Sequence, residues 1–214
     1  MLSKGEIYLL NEALDGHEIY GLPKDKVMFL QEDEQDVLQS LIEKEIINDD
    51  NSINKLSYLI IKNLEKYKKA RSYVWINDMV ASLNDDDNEM YLFRKNDKNN
   101  EYIFEKTTNG ILIYSILKQY PFLRKYREVE QVNKKSATFE EIMEEYIIDR
   151  KEDEIIIIRK DEGRIIKSTS FYSAYFEKDG ICYEYNVIDK ELSEINPKKA
   201  RERIFEILNF EEKE

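Results

Sequence analysis

The chain has 214 residues, enough to bury roughly 70% of its extended surface, so it needs neither staples nor metals to fold. With 42% apolar and 36% charged residues and a net charge of −12, it reads as a highly solvated globular protein. That charge disfavours a phosphate backbone as the main partner, because such binding depends on neutralising cations. A single cysteine, Cys182, excludes an intramolecular disulfide. No secretory signal is visible, nor any apolar run approaching the ~18 residues of a membrane span, so a cytoplasmic location is expected.

Ser3 and Glu6 have the spacing of a capping box and open a short helix running to about Leu14, with Gly16 just beyond in the place of a left-handed cap. His17 is the only histidine and has no second ligand nearby. After a connector over 21–29, a helix is predicted over 33–46 from Val37, Leu38, Leu41, Ile42 and Ile46. The turn Asn48-Asp49-Asp50-Asn51 leads to a longer helix over 54–71, whose buried stripe is expected to be Leu56, Leu59, Ile60, Leu64 and Tyr67. Its other face carries Lys55, Lys62, Lys66, Lys68, Lys69 and Arg71 against Glu65. That face has three readings: a solvated surface, half of a winged-helix DNA reader, or a docking surface for an acidic partner.

Strands are predicted over 73–83, 89–95 and 101–107, followed by a helix over 110–120 that Pro121 ends. Their short polar turns favour antiparallel neighbours. Tyr91 and Phe93 oppose Met90 and Leu92, so these strands are covered on both sides or left sticky on one. Residues 122–137 form a polar connector, expected to divide an N-terminal half, 1–121, from a C-terminal half, 138–214, within one globular domain. Thr138 and Glu141 make a second capping box. Eight acids and two bases lie between Glu140 and Glu154; neighbours such as Glu144 and Glu145 point apart on a helix, which favours a solvated face over acid/base or metal chemistry.

The strand–strand–strand–helix order returns at 154–160, 165–177, 181–189 and 198–210, with Lys178-Asp179-Gly180 as a hairpin turn and Asn196-Pro197 opening the last helix. The predicted fold class is therefore α+β, a central antiparallel sheet flanked by helices and built from two βββα units. On the 165–177 strand Phe171 and Tyr175 share one side while Tyr172 and Phe176 share the other. One aromatic set must lie outside the sheet's own core, and such rings suit a protein interface. Cys182 has no histidine beside it and reads as inert packing. No phosphate loop, metal-ligand spacing or serine elbow occurs, so neither enzyme activity nor a cofactor is expected.

The opening Leu2-Ser3-Lys4-Gly5-Glu6-Ile7 helix, the Gly21-Leu22-Pro23 that follows it, and the Leu41–Asn54 segment between two helices precede this doubled β unit. The layout resembles the EspG-type chaperones of type VII (ESX) secretion systems, in a divergent Gram-positive form. The resemblance implies a quasi-two-fold fold that caps a helical-hairpin secretion substrate (WXG100/LXG or PE/PPE-like) in the cytosol, with the secretion ATPase as a further partner. It also implies contact through a sheet surface and a loop of the first β unit, here 83–88 with Leu83, Asp85 and Asp86. The expected partner-binding residues are therefore these three with Tyr91, Phe93, Phe171, Tyr172, Tyr175 and Phe176. Two other readings stand beside it: a winged-helix-like DNA-binding regulator and an acidic immunity-type inhibitor of a toxin.

Overall fold

The computed structural model describes residues 1–22, 34–84, 88–96, 101–126, 133–147, 154–163 and 168–210. The chain divides into two compact units, one of 1–70 with 91–106 and the other of 71–90 with 107–214. Among the described residues, helices and nine strands, antiparallel in every described pairing, make the fold α+β.

In the first unit, helix α1 (Lys4–Glu12) begins with the expected capping box. Ser3 N donates to Glu6 Oε2 at 2.6 Å and Glu6 N to Ser3 Oγ at 3.2 Å. Gly16 lies past its end at φ +62°, where a side chain would be strained. Helix α2 (Glu34–Glu43) stops as Glu45 turns left-handed. Helix α3 (Lys55–Lys68) is capped by Asn54, whose Oδ1 accepts from the amides of Leu56 and Ser57.

Strands β3 (Glu89–Asn96) and β4 (Glu101–Thr108) bring Tyr91, Phe93, Tyr102 and Phe104 into this unit. Phe93 stacks on Tyr102 and Tyr91 on Phe104, while Tyr67 of α3 meets Phe104 edge-on. Leu2 and Tyr102 exchange backbone hydrogen bonds of 3.0 and 2.7 Å, tying the chain's start to β4.

In the second unit, the strand expected over 73–83 is a hairpin. It consists of β1 (Ser72–Ile76) and β2 (Met79–Leu83), with Trp75 opposite Val80. Asn77 sits between them at φ +52°. Its side chain accepts from Ile157 N at 2.7 Å and donates to Tyr120 Oη at 2.8 Å and to the Ile155 carbonyl at 3.2 Å. A local turn is thus held by residues far away in sequence.

Helix α4 (Asn109–Gln119) ends before a 3-10 turn, Pro121–Arg124. Strand β5 (Lys134–Ser136) follows, then α5 (Phe139–Ile142) with the second expected capping box, and a π-helical turn, Met143–Ile147. Strands β6 (Ile155–Glu162), β7 (Ser168–Lys178), β8 (Ile181–Asn186) and β9 (Glu191–Glu194) precede helix α6 (Pro197–Ile207). The unit's strands run in the order β2-β1-β6-β7-β8-β9-β5. Asp179 and Gly180, both at positive φ, form the expected two-residue turn between β7 and β8.

The doubled run is therefore ββββα rather than βββα, and the first strands of the two runs, β1 and β6, pair with each other. Nor does the chain divide at 122–137. That stretch contains β5, which hydrogen-bonds to β9 and so belongs inside the second unit.

Candidate functional site

The residues expected to meet a partner are mostly inside. Leu83, Tyr91, Phe93, Tyr175 and Phe176 are each at most 2% exposed, so in this structure they have no surface to present. Tyr91 and Phe93 are enclosed by the aromatic cluster of their own unit, and Phe176 packs with Tyr146 and Tyr183. Tyr175 donates a 2.9 Å hydrogen bond to Glu184, a buried carboxylate that also takes a bond from Arg203 Nη1. Phe171 and Tyr172 are half-buried. Asp85 and Asp86 lie outside the described residues.

The open apolar surface lies instead on α3. The stripe expected to be buried splits along its length: Leu64 and Tyr67 are enclosed, whereas Leu56 and Leu59 are 49% and 46% exposed. The helix's N-terminal half is anchored by Ser57 instead, whose hydroxyl donates to the Ile46 carbonyl. Ile53 and Tyr58 add exposed apolar area beside it. Between this half-helix and β4 runs a groove of about 580 Å³, lined by Leu2, Ile46, Leu56, Ile60, Tyr102, Ile103 and Phe104. The groove lies wholly within the first unit.

One polar post stands at its edge. Lys44 Nζ lies 2.8 Å from Glu6 and 3.1 Å from Glu101. Partial burial alone would lower its pKa, but the hydrogen bonds it donates to the two carboxylates outweigh that and raise it. Lys44 is therefore a fixed cation.

The basic face of α3 is partly neutralised within the unit. Lys68 is held by Asp15, Asn11 and the His17 carbonyl, and Lys69 pairs with Glu65. Lys55 and Lys62 are exposed and form no ion pair among the described residues. This row runs beside the open apolar stripe, a juxtaposition that periodicity shows only once the buried seam is known.

The second unit carries smaller exposed features. Ile111 and Tyr114 are 59% and 67% exposed on α4. Lys135 and Lys178 sit over the Tyr146 ring, and Arg159 over Trp75. Cys182 is buried, and burial, with the charges of Glu177 and Glu184, pushes its thiol up to about 12, so it carries no thiolate near neutrality. Among the described residues, no group of three or more His, Cys, Asp or Glu side chains is placed to hold a metal ion, and no helix is long and apolar enough to cross a membrane.

The family model described as Domain of unknown function (DUF5081) matches residues 1–214. No curated protein matches the chain.

Proposed function

The chain belongs to the DUF5081 family, and we propose that this member is a cytoplasmic type VII secretion chaperone or adaptor that binds a helical-hairpin substrate and keeps it soluble before export. The observation that carries the reading is the exposed apolar half of α3 beside the 580 Å³ groove. A chain with net charge −12 and 36% charged residues keeps most of its surface wet, so a helix that leaves Leu56 and Leu59 half-exposed has a face suited to a partner. The resemblance of the element order to EspG-type chaperones supports this class of partner. The contact surface moves from the sheet aromatics to α3, because Tyr91, Phe93, Tyr175 and Phe176 are buried and Phe171 and Tyr172 half-buried, whereas the α3 face is open.

The test is purification of the tagged full chain from its native host, together with secretion by a strain lacking it. The reading predicts a helical-hairpin protein co-eluting in stoichiometric amount, and loss of that protein from the culture medium of the deletion strain. Absence of any co-eluting protein, with secretion unchanged, would sink it.

A further inference from the structure

Around α3, at 100° per residue, Lys55 and Lys62 fall within about 20° of each other, followed by Leu59, Leu56 and Ile60 at about 40°, 100° and 140°; the buried Leu64 and Ser57 lie near 180–200°. Over the N-terminal half of α3 a lysine ridge, an open apolar stripe and a buried seam thus follow one another around the helix, and towards its C-terminal end buried Tyr67, at about 120°, closes the stripe. Two turns separate Lys55 from Lys62, roughly 10 Å along the axis. Both side chains are exposed, and neither forms an ion pair among the described residues. The stripe repeats with helical rather than two-residue spacing, so its ridges match those of a second helix.

We infer that the groove takes an amphipathic helix whose apolar stripe is flanked by acidic residues about two turns apart, paired with Lys55 and Lys62. This rests on the partner-binding reading above and specifies the chemistry of the bound segment. In a chain of net charge −12, the α3 ridge is a local inversion of sign. An acidic-flanked helix is attracted to that ridge, which favours docking with its acidic flank against Lys55 and Lys62. The apolar stripe supplies most of the affinity, because ion pairs at an exposed rim add little each.

The experiment uses fluorescence anisotropy with the full chain and three labelled synthetic helices that share one apolar i, i+3, i+4, i+7 stripe. Their flanking positions two turns apart carry glutamate, glutamine or lysine. The glutamate helix is expected to bind about tenfold tighter than the glutamine helix, the yield of two rim ion pairs, and the lysine helix to bind weakest. The double variant Lys55→Glu/Lys62→Glu should reverse that order, with its thermal midpoint unchanged because both side chains are in water. Leu59→Asp should abolish binding of all three.

If the glutamate and glutamine helices bound equally and the lysine variant changed nothing while Leu59→Asp still abolished binding, the acidic specificity would be overturned and the groove reading would survive. Failure of all three helices to bind the wild-type chain would overturn the inference. So would a dimer in sedimentation velocity that Leu59→Asp dissociates, since a second copy would then fill the groove. The native partner separates the two proposals: one retained by the lysine variant but lost with Leu59→Asp leaves the chaperone reading standing alone.

Discussion

Lys44 places its ammonium 2.8 Å from the carboxylate of Glu6, a side chain wholly shielded from solvent. Glu6 also closes the α1 capping box and accepts a 2.7 Å hydrogen bond from Ser40 Oγ, so one carboxylate joins α1 to the end of α2. Removing one partner of a buried pair costs roughly 3–5 kcal/mol. Lys44 keeps 32% of its side chain in water and retains Glu101, which reduces the loss. Glu6→Ala is therefore expected to lower unfolding free energy by about 2–3 kcal/mol in urea titration. A change within about 0.5 kcal/mol would show that the contact contributes little.

Asn77 should be hard to replace. Its left-handed backbone suits Asn or Gly, and its side chain makes three hydrogen bonds to β6 and Tyr120. Asn77→Gly keeps the turn but loses the bonds, while Asn77→Ala loses both. Losses of about 2 and 3 kcal/mol are expected, in that order, by equilibrium denaturation. Alanine proving milder than glycine would contradict the turn's backbone requirement.

The Cys182 thiol offers a probe of local opening. Buried and pushed up to about 12, it should react with iodoacetamide at pH 7.5 far more slowly than a free thiol and recover full reactivity in denaturant. Labelling of the native chain at the rate of a small thiol would mean that β8 opens readily.

Alkaline pH should destabilise the second unit through Tyr175. Burial first, then the charge of Glu184, raises its phenol above the ordinary value near 10. The folded form therefore holds its proton more tightly than the unfolded chain does. The resulting stability is fully present below pH 10 and is lost as pH climbs beyond it. Tyr175→Phe should flatten the fall in stability between pH 10 and 11, while lowering stability at pH 7 by about 1–2 kcal/mol through the donor lost to Glu184. A wild-type profile that stays flat over that interval would contradict the burial argument.

Local chemistry was legible in the sequence wherever it was decided locally. Both capping boxes, the Asn196-Pro197 helix start, the Gly16 stop and the Asp179-Gly180 turn need only neighbouring residues, and all are present. The Asn77 turn was hidden because β-type residues continue on both sides of it, and what selects it is β6, about 80 residues away. Strand β5 was hidden because Lys134, Lys135 and Ser136 are all exposed and polar; it is a strand only by backbone pairing to β9. Strand β9, four residues long with only Leu192 buried, gave no more signal.

The α3 stripe shows a deeper limit of pattern reading. Leu56, Leu59, Ile60, Leu64 and Tyr67 share one helical period, and period alone does not tell a face turned to the core from one turned outward. For the same reason Tyr91, Phe93, Tyr175 and Phe176 looked like surplus aromatics until their neighbours within each unit were in view.

The most direct measurement is the yield of co-purifying partner from the native host with the wild-type chain and with Leu59→Asp, at matched expression and with both melting curves recorded. Leu59 is 46% exposed, so the variant should melt within about 2 °C of wild type. A stoichiometric helical partner is expected on the wild-type chain, with at least a tenfold loss of it on Leu59→Asp. Undiminished recovery of that partner on a stably folded Leu59→Asp chain would contradict that expectation.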